Sequence, residues 1–191
     1  MIDQYEPFST ITRNSLSHAL KDSGVSLNDK SIESLMKAYD SLSTFPDVAG
    51  ALKSITEAPN ITAVIFSNGT NEMVTNSVKS STDLGPHASV FKDIVTVEEV
   101  KKFKPSIETY YHLAGKVGKE NTKEAMSKMW LVSGNPFDIV GARSVGMQAA
   151  WVDRAGNGWT DQLVEGDLGR PTVIVKGLHE VVEVVKKHSQ A

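Results

Sequence analysis

Short apolar runs alternate with helical patterns from residue 61 onward, and this alternation constrains the fold more than any other feature. Near-continuous apolar strands separated by helices are typical of a parallel sheet covered on both faces. The predicted strands are 61–66, 93–96, 129–132, 148–152 and 172–175. The predicted helices are 72–79, 106–117, 122–128, 137–145 and a last one from Leu178. The pattern predicts an α/β fold, and ligands of such sheets bind at the carboxyl ends of the strands.

The first 44 residues have a helical pattern instead. Thr12 is a candidate N-cap for a helix that stops at Gly24, and Asn28 or Asp29 for a second helix. A break follows at 44–47, where Pro46 is expected to be the first residue of a third helix. We therefore predict two domains: a helical lobe at 1–44 and an α/β core at 45–191.

Composition argues against several classes of function. The net charge is −3, so no basic field attracts nucleic acid or an acidic membrane. No run approaches the roughly 18 apolar residues of a membrane span, and the N-terminus resembles no signal peptide. Cysteine is absent and the five histidines are scattered, so we expect no metal or other cofactor. The composition favours a cytoplasmic protein.

Polar residues follow three of the predicted strands. They supply hydroxyl, ammonium and carboxylate groups, which together make an anion-handling site at one end of a sheet. The residues are Ser67, Asn68, Lys104, Tyr110, Ser133, Asn135 and Asp138. Each segment also has a structural interpretation: a turn with a helix cap at 67–70, a solvated lysine at 104 and a helix cap at 135–138. Their occurrence in this order, each at the same end of its strand, favours a functional site.

Taken in order, these segments resemble the later motifs of the haloacid dehalogenase (HAD) superfamily, and within it the L-2-haloacid dehalogenases. The resemblance includes Ser67-Asn68-Gly69, Lys104-Pro105 with Tyr110, and Ser133-x-Asn135-x-x-Asp138 followed by Gly141-Ala142-Arg143. Segment 4–8 resembles part of that family's helical cap, and 39–47 its return to the core. The resemblance implies a HAD-like Rossmannoid parallel sheet, with residues 1–44 as a partial helical cap.

One departure concerns the nucleophile. The family opens with an apolar strand that ends in the attacking aspartate, whereas the early aspartates Asp3, Asp22 and Asp29 follow no such strand. We therefore expect the cap to be truncated at its N-terminus and the first core strand to be absent from this chain. In the family fold that strand lies between the Ser67 and Ser133 strands. Its absence would expose strand edges, which favours homo-oligomerisation.

The resemblance implies that small L-2-haloacids are converted to 2-hydroxyacids through an aspartyl-ester intermediate. In that chemistry Lys104 pairs with the nucleophile, while Asp138, with Ser133 and Asn135, orients Lys104 and the hydrolytic water. The implied substrate-binding residues are Ser67 for the carboxylate, Asn68 for the halide, Tyr110, and Phe8 and Phe137 as walls of the halide pocket. The expected partner is a small 2-haloacid or another small carboxylate.

Two other functions remain open. Without a nucleophile the chain would be inactive, and the site would then only bind small anions, as a non-catalytic HAD-like protein. A fragment of a HAD magnesium phosphatase is the other alternative. It is disfavoured because the loop after residue 132 contains one carboxylate, Asp138, where phosphatases often have two. Whether the chain is itself an enzyme is not decided by its sequence.

Overall fold

The computed structural model describes residues 4–39 and 43–189. Its α-helices, in chain order, are α1 Phe8–Asp22, α2 Asp29–Tyr39, α3 Val48–Thr56, α4 Asn71–Lys79, α5 Ile107–Lys116, α6 Lys123–Ser127, α7 Pro136–Ser144 and α8 Val181–His188. The strands are β1 Ala63–Ser67, β2 Phe91–Thr96, β3 Trp130–Ser133, β4 Gln148–Val152 and β5 Val173–Val175. In the part of the chain that is described, no helix is long and apolar enough to cross a membrane.

All the strand pairings are parallel, as the apolar runs predict. β1 pairs with β2, β3 with β4, and β4 with β5. The α/β fold class is therefore confirmed. The strands form two sheets, β1–β2 and β3–β4–β5, where the sequence pattern predicts one. An apolar run shows that a segment is a buried strand, but it does not specify the neighbour with which that strand pairs.

The chain divides into two compact units. Unit 1 contains the described residues up to Thr44 together with Ala63–Lys101, and so α1, α2, α4 and the β1–β2 sheet. Unit 2 contains Phe45–Thr62 and the described residues from Lys102 onward, with the β3–β4–β5 sheet. The proposed partial cap at 1–44 and core at 45–191 stay a prediction.

The helix starts in the first part of the chain correct two details of the sequence interpretation. α1 begins at Phe8, directly after Pro7, and Thr12 lies inside it, where its hydroxyl donates to the Phe8 carbonyl at 2.8 Å. Thr12 is therefore not the N-cap. The prediction for α2 is confirmed, because the Asn28 side chain accepts a hydrogen bond from the Ser31 N–H at 2.9 Å. α3 begins at Val48, and Pro46 lies in the turn before it.

Asp47 joins three segments of unit 2 that are far apart in sequence. Its Oδ2 accepts a hydrogen bond from the Leu178 N–H at 2.7 Å, and Arg154 Nε lies 3.2 Å from both carboxylate oxygens. The Arg154 guanidinium also lies over the Phe45 ring, 4.2 Å from its centroid. Burial alone would raise the pKa of Asp47, but the hydrogen bonds from Leu178 and Arg154 outweigh it and lower the pKa below its ordinary value.

Candidate active site

Asp138 lies in the first turn of α7, just after β3, and its carboxylate is buried against a lysine. Lys104 Nζ is 3.0 Å from Asp138 Oδ1, and the two side chains are only 8% and 6% exposed. The contact is an ion pair without hydrogen-bond alignment, since Oδ1 has no aligned donor among the described residues. A buried ion pair is costly to form unless its geometry is good, so its presence marks a candidate functional site.

Ser133, the last residue of β3, fixes the other oxygen of the Asp138 carboxylate. Its hydroxyl donates to Asp138 Oδ2 at 2.9 Å, and its Oγ accepts a hydrogen bond from the Asn135 N–H at 3.0 Å. The hydroxyl thus connects the end of the strand, the turn and the helix. With Oδ2 held by Ser133, Oδ1 is left facing the ammonium of Lys104.

Tyr110 on α5 contacts the main chain of the first turn of α7, the turn that contains Asp138. Its side chain is fully buried, and its hydroxyl donates to the Asp138 carbonyl oxygen at 3.3 Å. Burial, and to a lesser extent the negative charge of Asp138, raise the pKa of Tyr110 well above its ordinary value. The phenol therefore remains a protonated donor throughout the physiological pH range.

Two further candidates, Asn135 and Phe137, are exposed beside this buried group. Asn135 occupies the N-cap position of α7, but its side chain makes no capping hydrogen bond. The Phe137 side chain, in the first turn of α7, is 43% exposed. The helix-cap interpretation of 135–138 therefore does not account for the side chain of Asn135.

In unit 1, β1 ends in Ser67, whose Oγ accepts a hydrogen bond from the Gly69 N–H at 3.0 Å. Thr70 then caps α4, its side chain accepting from the Met73 N–H at 3.2 Å. Asn68 is half-buried in the turn between them. The turn-and-cap interpretation is thus confirmed for 67–70, and it leaves a function for Ser67 and Asn68 as a prediction.

The structure brings together five of the predicted residues within unit 2. These are Lys104, Tyr110, Ser133, Asn135 and Asp138. Phe137 lies on the same helix, while Ser67, Asn68 and Phe8 belong to unit 1, Phe8 as the half-buried first residue of α1. Of the early aspartates, Asp3 lies outside the described residues, as do positions 40–42 of the segment 39–47. Across the described ranges, no cluster of three or more His, Asp or Glu side chains could hold a metal ion.

Sequence reasoning gave no role to Gly141, which belongs to the same site. It lies in α7, one turn after Asp138, and its α-carbon is packed against the Tyr110 ring. Two signals were present in the sequence: Gly141 belongs to the segment that resembles the family motif, and a glycine inside a helical pattern costs helix stability and so calls for a packing reason.

Comparison with known proteins identifies the family. The model of the haloacid dehalogenase-like hydrolase family matches residues 5–152. The chain belongs to that family. It is 28% identical to a haloacetate dehalogenase of a Moraxella species over 156 residues, which are 82% of this chain and 65% of the relative. It is 29% identical to an (S)-2-haloacid dehalogenase of Pseudomonas fluorescens over 187 residues, which are 95% of this chain and 73% of the relative.

Solved structures have the same fold. An L-2-haloacid dehalogenase from Xanthobacter autotrophicus, determined with chloropropionic acid covalently bound, superposes with a TM-score of 0.78 at 22% identity. That match covers 95% of this chain and 77% of the solved one. The resemblance to L-2-haloacid dehalogenases and the HAD-like fold are therefore confirmed. The chain spans less than two thirds of the Moraxella relative, 65% of its length.

Proposed function

We propose that this chain supplies the supporting groups of a hydrolytic dehalogenase that converts small L-2-haloacids to 2-hydroxyacids. The observation that carries the proposal is the buried pair of Lys104 and Asp138. Lys104 lies against one carboxylate oxygen, and the Ser133 hydroxyl donates to the other. In a family whose relatives are 2-haloacid dehalogenases, a fixed ammonium at a strand end is suited to holding an attacking carboxylate ionised.

The proposed reaction has two steps. A carboxylate oxygen attacks C2 of the haloacid, a C–O bond forms, and the C–halogen bond breaks with its electron pair leaving on the halide. Water then adds to the ester carbonyl, the ester bond breaks, and the 2-hydroxyacid leaves with inverted configuration at C2. A covalent intermediate is supported by the Xanthobacter relative, which was solved with chloropropionic acid covalently bound.

Asp138 does not act as the nucleophile in this proposal. Lys104 and Ser133 already engage its two oxygens, and its side chain is 6% exposed. Its role is to orient the Lys104 ammonium. The exposed Asn135 amide, which makes no cap bond, is free to orient the hydrolytic water.

The residues proposed to contact the substrate come from the resemblance. Ser67 binds the substrate carboxylate. Its hydroxyl suits this role because its Oγ accepts a hydrogen bond from the Gly69 N–H, which leaves the hydroxyl proton to donate. Asn68 binds the departing halide. Phe8 and Phe137 wall the halide pocket, and the 43% exposure of Phe137 supports a side chain open to a ligand.

The proposal further holds that the nucleophilic aspartate is not among these 191 residues. The matching sequence position would follow an apolar strand, and the early described aspartates Asp22 and Asp29 lie instead at the end of α1 and the start of α2. On this view the 191 residues alone are inactive, and turnover needs an aspartate that they do not contain.

The test is halide release from L-2-chloropropionate by the 191-residue chain and by a form extended with the upstream codons. The proposal expects activity in the extended form only, abolished by Lys104→Met and retained in the exposed-lysine control Lys119→Met. Activity in the 191-residue form would overturn the assignment of the nucleophile. Inactivity of both forms towards 2-haloacids would overturn the dehalogenase proposal, and calorimetry with L-lactate would then test anion binding alone.

We also propose that the protein is located in the cytoplasm and that it assembles into homo-oligomers. A net charge of −3 and the absence of cysteine support a reducing, aqueous compartment. Sedimentation velocity of the 191-residue chain tests the assembly, and a monodisperse monomer would contradict it.

A further inference from the structure

Gly141 is in unusually close contact with an aromatic ring. A methyl group built on its α-carbon would lie 2.5 Å from Cζ and 2.7 Å from Cε2 of Tyr110, and closer still to the hydroxyl oxygen. Real carbon atoms do not approach that closely, so no residue with a side chain fits while Tyr110 keeps this position.

The other glycines in the α-helices of unit 2 make no such contact. A methyl group on Gly50 in α3 or on Gly115 in α5 would meet nothing within 4 Å. Glycine weakens a helix relative to alanine wherever it occurs. At Gly141, unlike at these two positions, a neighbouring side chain occupies the space that the missing Cβ leaves.

The contact with Tyr110 leads directly to the Lys104–Asp138 pair. The Tyr110 hydroxyl donates to the main-chain carbonyl of Asp138, and the side-chain carboxylate of the same residue pairs with Lys104. Ser133 fixes the carboxylate from the strand side, whereas Tyr110 fixes the main chain from α5. Both the main-chain carbonyl and the side-chain carboxylate of Asp138 are therefore held by hydrogen bonds.

We infer that Gly141 is a positioning residue of the site: its missing side chain lets Tyr110 pack against α7 and hold the Asp138 main chain, which keeps the carboxylate on Lys104. This inference rests on the proposed function for its effect on turnover. It also gives Tyr110 a positioning role through the Asp138 carbonyl.

The experiment compares Gly141→Ala with Gly115→Ala, the same substitution at an open helical position on the helix that bears Tyr110. Both are also made in a Tyr110→Leu background, where the ring is gone. In the extended, active form we expect Gly141→Ala to lower kcat at least tenfold with KM within twofold, because the contact reaches the lysine pair and not the substrate. Gly115→Ala should leave both constants unchanged.

Two readouts do not need turnover. In ¹³Cζ-tyrosine NMR spectra, with Tyr110→Phe for assignment, the Tyr110 phenol should ionise nearer its ordinary value of about 10 in Gly141→Ala. Acetic anhydride labelling, followed by mass spectrometry, should modify Lys104 several times faster in Gly141→Ala than in Gly115→Ala. In the Tyr110→Leu background, the two alanine variants should label Lys104 equally.

The inference is overturned if Lys104 labelling and the Tyr110 titration are unchanged by Gly141→Ala, or if its effect is the same with and without Tyr110. A loss of thermal stability with kcat and labelling intact would show a packing role only, and would also overturn it. Should the parent protein release no halide, the proposed function fails, while labelling and titration still decide whether Gly141 positions the pair.

Discussion

Strands β1 and β3 both end in a serine, Ser67 or Ser133, whose Oγ accepts a hydrogen bond from the main-chain nitrogen two residues later, at 3.0 Å in each case. Beyond this shared turn the two strand ends differ. After β1, Thr70 uses its side chain to cap the next helix. After β3, Asn135 holds the cap position without a side-chain bond, and Ser133 instead donates to a carboxylate buried against Lys104.

The difference separates a turn whose side chains bond only to main-chain groups from one that holds a charged side chain. After β1, the Thr70 side chain satisfies a main-chain N–H that any helix start leaves open, and the Ser67 bond closes the turn before it. The bonds after β3 hold an ion pair away from water, which adds little to stability relative to an apolar core. Similar turns at two strand ends therefore differ in what they hold in place, and the Ser133 hydroxyl is distinguished by its bond to a buried carboxylate.

Removing the charge after β3 should have the largest effect. Asp138→Asn leaves the Lys104 ammonium buried without its counter-ion, which should lower the free energy of unfolding by about 3–5 kcal/mol. Urea denaturation measures the loss. Adding Lys104→Met should restore most of the stability, while Glu124→Gln, which breaks the exposed pair with Lys128, should change little. Equal losses for the buried and the exposed pair would contradict the comparison.

The two serines provide the next test. Ser133→Ala removes a hydrogen bond to a charged group and should lower the free energy of unfolding by about 1.5–3 kcal/mol. Ser67→Ala removes only a bond from a main-chain N–H, and the expected loss is about 0.5–1.5 kcal/mol. Chemical denaturation of both variants in parallel measures the difference, and the comparison fails if Ser67→Ala is the more damaging.

After a third strand, β4, Arg154 forms an ion pair with Asp47 that lies outside the candidate site. The pKa of Asp47 is lowered in the folded state, so the stability it contributes is present above the unfolded carboxyl value and is lost as the pH falls through the folded pKa. Asp47→Asn should therefore be less stable than the parent near pH 7, and the difference should disappear towards about pH 2. We expect a smaller effect than at Ser133, because Arg154 is 31% exposed. Thermal unfolding across this range measures the effect, and a difference independent of pH would contradict it.

The smallest effects should come from the two cap positions. Thr70→Ala removes a side-chain cap and should cost about 1 kcal/mol. Asn135→Ala removes no cap bond, so its stability should match the parent within experimental error. If the proposed function holds, only Asn135→Ala lowers the rate of halide release in the extended form. If Asn135→Ala lost as much stability as Thr70→Ala, Asn135 would be a structural helix cap, and this prediction would be wrong.

Sequence patterns predicted the strands better than their partners. The strand at 148–152 was predicted with the bounds that β4 has, because an apolar run flanked by glycine and polar residues is a local signal. The start of α1 was wrong because Thr12 looks like a cap, whereas Pro7 provides an earlier helix start. The apolar runs alone do not predict the division of five strands into two sheets, because pairing depends on tertiary contacts. The resemblance did indicate where it falls, since the strand expected between the Ser67 and Ser133 strands was predicted to be absent.

The candidate site divides in the same way. Lys104, Ser133 and Asp138 were predicted together because each comes after a predicted strand, and their contacts confirm that they lie together. The absent bond at Asn135 and the close approach of Gly141 to Tyr110 were not predictable, because both depend on how α5 packs against α7 and on side-chain rotamers.

The Asp47 contacts have a consequence for synthesis on the ribosome. Asp47 is made 107 residues before Arg154 and 131 residues before Leu178, the two partners that hold its carboxylate. Until both have left the exit tunnel, the start of α3 has neither of these partners, and closing so long a loop is slow. A nascent chain stalled before Arg154 should therefore leave α3 open to proteases and chaperones, while a chain released after Leu178 protects it.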